Sequence, residues 1–209
     1  MNGDDNANEA GHPAPVTQPP AHYKEGNDLP KFEVFSPSFW QKRLADSVKR
    51  GLSHYAVFEC SYDLWRKIET AHRQILTDTL NPLDNLLDAG CGWGRLLNLL
   101  PSWWEGHYVG VDISPDFIDI ARTNWRDDHS RKHQPKFMQG DLRVGYNWAR
   151  DVLHIGEQFD YAVLISVRPM IVRNMGREAW DEIEKNLRRV ARKLLYLEYD
   201  ANDPGSVEM

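Results

Sequence analysis

Cysteine is nearly absent from this sequence: Cys60 and Cys91 are the only two. Their spacing matches no metal-ligand pattern, so no metal is expected. Both are expected to be small buried thiols in a reducing, cytoplasmic setting. Long hydrophobic runs are missing as well, and no segment is expected to cross a membrane. The N-terminus has no basic stretch followed by an apolar core, so no secretory leader is expected. Basic charge is in short supply: 25 Lys and Arg stand against 31 Asp and Glu, a net charge of −6. That excludes the broad basic face of a sequence-nonspecific nucleic-acid binder. The acidic excess gathers in the first thirty residues, where Asp4, Asp5, Glu9, Glu25 and Asp28 face only Lys24. The rest is close to neutral, so a local basic patch, and with it a nucleic-acid partner, is not excluded. No internal repeat is present.

The 209 residues suffice for one α/β domain with a full core and a short appendage. Residues 1–30, rich in Asn, Pro, Gly and Ala, cannot bury enough apolar surface to offset their ordering entropy and read as a disordered tail. Residues 31–80 read as helical. Ser36-Pro37 opens one helix, followed by Phe39, Trp40, Leu44 and Val48 at helical spacing. Gly51 breaks it. A second helix is expected from about Ser61, with Leu64, Trp65, Ile68, His72, Ile75 and Leu76 on one face, ended by Asn81-Pro82. From residue 81 apolar segments alternate with amphipathic ones. Strands are expected at 84–88, 107–112, 135–139, 159–166 and 193–199, and helices at 93–100, 115–126, 143–154 and 177–191. That alternation predicts a parallel sheet with right-handed crossovers.

Leu86-Leu87-Asp88-Ala89-Gly90-Cys91-Gly92-Trp93-Gly94-Arg95 carries the chemistry. It reads as a strand, an acid at its end, a glycine-rich turn and a helix start. Open α/β sheets bind ligands at such strand ends, and Gly90 and Gly92 let backbone approach a ligand where a Cβ would collide. Tyr108-Val109-Gly110-Val111-Asp112 follows, and Asp112 stands where a carboxylate for ribose hydroxyls is expected. A dinucleotide enzyme would place a third glycine three residues after Gly92; Arg95 stands there instead.

LLDAGCGWGRLL followed by YVGVDISPDFIDIAR resembles the class I S-adenosylmethionine-dependent methyltransferases. The resemblance implies a Rossmann-like, mostly parallel sheet with helices on both faces, and S-adenosyl-L-methionine as cofactor. It implies that Asp88 holds the cofactor's ammonium and that Gly90, Gly92 and nearby backbone receive its methionyl part. Asp112 would take the ribose diol and Ile113 would pack against adenine. Phe137-Met138-Gln139-Gly140-Asp141-Leu142 is similar to the family segment in which an acid, here Asp141, accepts from the adenine amino group and the next backbone amide, here that of Leu142, meets the ring. Trp93 would line the cavity or pack beneath the first helix.

The resemblance runs from about Asp84 to Tyr199. A full family sheet continues past the fifth strand with a helix and a hairpin, whereas here the sheet is expected to stop after the fifth. Its exposed edge would invite pairing, for instance in a homodimer. In the acceptor region, Ser166-Val167-Arg168-Pro169-Met170 fits the pattern of amino-methylating nucleic-acid enzymes poorly. Ser166 is taken as a cofactor contact. Arg168, in what reads as a loop, is a candidate for meeting an anionic substrate. His54 and Tyr55, between the two N-terminal helices, are candidates for orienting an acceptor or serving as base.

The expected organisation is a tail (1–30), an N-terminal helical lid (31–80) and a cofactor-binding core (81–209). The expected function is methyl transfer to a small-molecule acceptor. The alternatives are a non-catalytic module that keeps the fold, or a nucleic-acid or protein methyltransferase.

Overall fold

The computed structural model describes residues 41–42, 45, 62–144 and 158–198. The expected tail, most of the first helix, His54, Tyr55, Cys60 and the body of the helix at 143–154 lie outside the described residues.

Helix α1, Tyr62–Thr79, turns one apolar stripe inward. Trp65, Ile68, His72 and Leu76 recur at helical spacing and are all buried. On the solvent side Gln74 Nε2 donates to both carboxylate oxygens of Asp78 at 2.9 Å. The helix stops at Asn81-Pro82, where the Asn81 amide donates to the Asp84 carboxylate at 2.8 Å. Within the segment expected to form a lid, α1 packs as a wall of the core.

His72 is the costly member of that stripe. It is 3% exposed, its Nδ1 has no partner among the described residues, and burial beside the Arg95 guanidinium pushes its pKa down to about 3. The folded chain therefore binds fewer protons here than the unfolded chain. His72 contributes stability that is full above pH 6.5 and is lost as pH falls towards 3. The expected loss is up to about 4 kcal/mol. His72→Leu is expected to flatten this dependence, as urea midpoints at pH 7 and pH 4 will show.

The sheet has five parallel strands: β1 (Leu86–Ala89), β2 (Tyr108–Asp112), β3 (Lys136–Gln139), β4 (Phe159–Ile165) and β5 (Ala191–Leu197). Their order is β3-β2-β1-β4-β5. β1 is central and fully buried, as a strand covered on both faces must be. Alternate side chains feed two cores. Leu86, Tyr108, Tyr161 and Leu195 pack with α1 and with α2 (Arg95–Leu99). Leu87, Val109, Val111, Ala162 and Leu164 pack with Trp180, Ile183 and Leu187 of α5 (Arg177–Val190). Helix α3 is Pro115–Trp125 and α4 is Val167–Met175.

Two expectations are corrected. The segment after β4 is not a loop: Val167–Met175 is helical. Pro169 is tolerated there because it sits in the first turn, whose amides have no intrahelical partner. β5 begins at Ala191, directly after α5, two residues earlier than its pattern suggests. Arg192 and Lys193 are exposed, which masks the strand's start in the sequence. β5 pairs with β4 on one side; among the described residues no strand pairs with its other edge.

Candidate cofactor site

Chain order reverses direction at β1, with β2 on one side and β4 on the other. A crevice outside the carboxyl ends of the strands at such a switch point is where open α/β sheets bind ligands. The glycine turn lies there. Gly90, Gly92 and Gly94 have φ of 83°, 52° and 82°. Gly92 is buried, yet among the described residues no atom outside its chain neighbours lies within 4 Å of where a Cβ would stand, so space is open beside the backbone. The turn is pinned to β2: the Gly90 and Cys91 amides donate to the Val111 carbonyl at 2.8 and 3.0 Å.

Asp112 completes that link. Its Oδ2 accepts from the Gly92 amide and its Oδ1 from the Ser114 amide, each at 2.9 Å. Ser114, wholly buried, caps α3 by accepting from the Phe117 amide at 3.4 Å. Burial pushes the Asp112 pKa up against the pull of the Ser114, Gly92 and Ile113 amides. A carboxylate has about four acceptor positions, so capacity remains after these backbone bonds.

Asp88 is 1% exposed. The Tyr108 hydroxyl donates to its Oδ2 at 2.6 Å, while Oδ1 is buried with no partner among the described residues. Burial pushes the Asp88 pKa up to about 7; the Asp112 charge adds to this, and the Tyr108 hydroxyl and Arg95 oppose it. Arg95 is itself buried. Its guanidinium lies 3.9 Å over the Trp65 ring, with Nε 3.7 Å from Glu69.

Asp141 follows β3. It grips Arg143: the Arg143 amide donates to Oδ1 at 2.9 Å, and Nε lies 3.0 Å from both oxygens. Burial pushes the Asp141 pKa up, but the Arg143 contacts outweigh it and hold it below the usual carboxylate value. The Leu142 side chain belongs to the buried core cluster that also holds Val111. Trp93 packs edge-on to Phe117, ring centroids 6.0 Å apart, in a partly buried apolar cluster with Ile113, Ile120 and Met170. That cluster joins the glycine turn, the start of α3 and α4.

Ser166 ends β4 with φ 57°, the only positive φ outside glycine among the described residues. Its Oγ is buried without a partner among the described residues. Such a backbone costs on the order of 1–3 kcal/mol and persists where surroundings impose it. Arg168 is not directed at an open anion site. Its Nε and guanidinium NH2 bind the Glu198 carboxylate at 2.8 and 2.6 Å, and the group lies 4.9 Å over the Tyr196 ring. Its helical setting, in the first turn of α4, is what places it against the end of β5.

The structure thus brings Asp88, Gly90, Gly92, Trp93, Asp112, Ile113 and Ser166 to the carboxyl ends of β1, β2 and β4, with Asp141 and Leu142 after β3. Cys91 is a buried free thiol, its pKa pushed up by burial. Among the described residues no three His, Cys, Asp or Glu side chains are grouped to hold a metal ion, and no helix is long and apolar enough to cross a membrane. Sequence reasoning missed Tyr108, Arg95 and Arg143. The first had a signal: Tyr108 opens β2 on the same face as Asp88, and Gly110 between them carries no side chain.

A five-stranded parallel sheet with an acid-glycine turn at its switch point defines a Rossmann-like α/β fold. Residues 86–193, a little over half of the chain, match the family described as methyltransferase domain. The chain belongs to that methyltransferase family, and the resemblance read in the sequence is borne out. Among solved structures it is similar to the magnesium protoporphyrin IX methyltransferase of Synechocystis PCC 6803 with bound SAM, at 19% identity and a TM-score of 0.50, covering 82% of this chain and 77% of that one. A protein of Pyrococcus horikoshii OT3 matches at 24% identity and a TM-score of 0.49, over 68% of this chain and 64% of that one. A glycopeptide N-methyltransferase matches at 15% identity and a TM-score of 0.46, over 62% and 52%. The chain thus spans less than two thirds of the last two proteins. At these identities the likeness speaks for the fold alone. No curated protein sequence matches the chain.

Proposed function

We propose that the carboxyl ends of β1, β2 and β4 bind S-adenosyl-L-methionine and that the chain transfers its methyl group to a small-molecule acceptor. The observation that carries this reading is the Asp112 carboxylate, fixed by the Gly92 and Ser114 amides with acceptor capacity to spare for a ribose diol. Three further features fit the cofactor. Asp88 Oδ1 is a buried acceptor without a partner among the described residues, suited to an ammonium. Gly92 leaves its surroundings open, suited to a methionyl chain against bare backbone. Ile113 belongs to a partly buried apolar cluster, suited to the face of adenine.

In this reading Asp141, oriented by Arg143, accepts from the adenine amino group, with the Leu142 amide beside the ring. Trp93 and Ser166 border the methionyl end. The cofactor supplies a methyl carbon already activated by its sulfonium charge. The protein's part is to hold the acceptor in line and exclude water. A base is required only where the attacking atom keeps its proton at working pH; His54 and Tyr55 are candidates for it. Arg168, held by Glu198, is set to brace α4 against β5.

The reading is tested with methyl-labelled cofactor and fractionated cell extract. Label is expected in a low-molecular-weight fraction, dependent on Asp112. Label in the protein or nucleic-acid fraction would replace the small-molecule acceptor. Cofactor binding with no transfer to any fraction would favour a non-catalytic module.

A further inference from the structure

Asp88 and Tyr108 stand on neighbouring strands, on the face they share with Leu86 and Gly110. Tyr108 is 3% exposed, and its ring packs edge-on against Phe137 at 5.6 Å, which fixes its direction. Asp88 pairs with Gly110 in register. A Cβ at Gly110 would meet Cys91 Sγ and Phe137 at 2.9 Å. With no side chain there, nothing intervenes between the phenol and the carboxylate. The resulting 2.6 Å bond occupies Oδ2, and Oδ1 is left without a partner among the described residues.

We propose that Tyr108 is a positioning residue for cofactor binding: its hydroxyl fixes the Asp88 carboxylate and leaves Oδ1 as the one acceptor offered to the cofactor's ammonium. This rests on the reading of Asp88 as the ammonium's partner. A buried carboxylate with a single neutral donor is poorly solvated in its charged form. An ammonium reaching Oδ1 supplies the missing countercharge, so binding favours the ionised state. The groups facing Asp88 set the balance. Tyr108 and Arg95 favour ionisation, burial and the Asp112 charge oppose it, Cys91 is an un-ionised thiol, and β4 presents apolar Val163. Since Asp88 titrates at about 7, affinity rises as pH rises through that value. Loss of the Tyr108 hydroxyl removes a donor to the ionised form and moves the rise to higher pH.

The test is calorimetric titration with S-adenosylhomocysteine, which keeps the same ammonium, between pH 5.5 and 8.5. Wild type, Tyr108→Phe, Asp88→Asn, the double variant and Asp112→Ala are compared. In the wild type affinity is expected to climb through about pH 7. Tyr108→Phe is expected to bind about tenfold more weakly at pH 7, with its midpoint higher by roughly one pH unit. Asp88→Asn is expected to remove this pH dependence and to make Tyr108→Phe silent in the double variant. An unchanged midpoint in Tyr108→Phe, or equal weakening with and without Asp88, overturns the positioning role while the cofactor reading stands. Should Tyr108→Phe fail to fold, Asp88→Asn decides: an unaltered pH profile overturns the proposal. No wild-type binding at any pH overturns both.

Discussion

Replacing Asp112 with alanine is expected to weaken S-adenosylmethionine binding by more than about a hundredfold. A hydrogen bond to a charged group contributes roughly 1.5–3 kcal/mol, and the proposal gives Asp112 two ribose hydroxyls at once. The same carboxylate holds the Gly92 and Ser114 amides at 2.9 Å. The variant therefore also loosens the turn that receives the methionyl chain and orphans two backbone donors. A stability loss of about 1–3 kcal/mol accompanies the binding loss. Affinity should be read on the folded fraction, which a urea curve supplies. Affinity within a fewfold of wild type would place the ribose elsewhere.

Gly94→Ala is expected to produce the largest loss of stability among single changes in the glycine turn, about 2–5 kcal/mol. A left-handed backbone costs a side chain roughly 1–2 kcal/mol, and φ is 82° here. A Cβ would also stand 2.7 Å from Trp125 Nε1 and 3.0 Å from two Phe137 ring carbons; such overpacking costs about 1–3 kcal/mol more. Gly92→Ala is the informative contrast. Its φ of 52° costs about the same strain, but its Cβ meets nothing. Its principal loss is expected in cofactor affinity, because the methyl occupies space the ligand needs. Thermal melts and titrations of the two variants should separate these outcomes. Equal binding losses per unit of stability would contradict the assignment of Gly92 to the ligand side.

The contrast between these glycines also shows how far the sequence can be read. The order of acid, glycines and strands is local, and it placed Asp88, Asp112 and the turn at one end of a parallel sheet. Strand existence followed from apolar runs such as Leu86-Leu87 and Tyr161 to Ile165, which are buried. Boundaries failed where local signals compete. Ser166 to Met170 reads as a loop, yet Pro169 fits the first turn of a helix, which has no use for the missing N–H. Tertiary pairings were the least legible. The Tyr108 bond to Asp88, the Arg168 fork with Glu198 and the burial of Arg95 beneath Trp65 each join residues brought together only by sheet register or helix packing. Arg168 shows the consequence: a guanidinium that reads as free to meet an anion is held by a carboxylate thirty residues on.

The central claim is that the glycine turn and Asp112 form one cofactor site. Its most direct measurement is calorimetric titration of the whole chain with S-adenosylmethionine, beside Asp112→Ala. One site per chain is expected in the wild type, and loss of measurable binding in the variant. Absence of binding in the wild type, or equal binding in both, would contradict it.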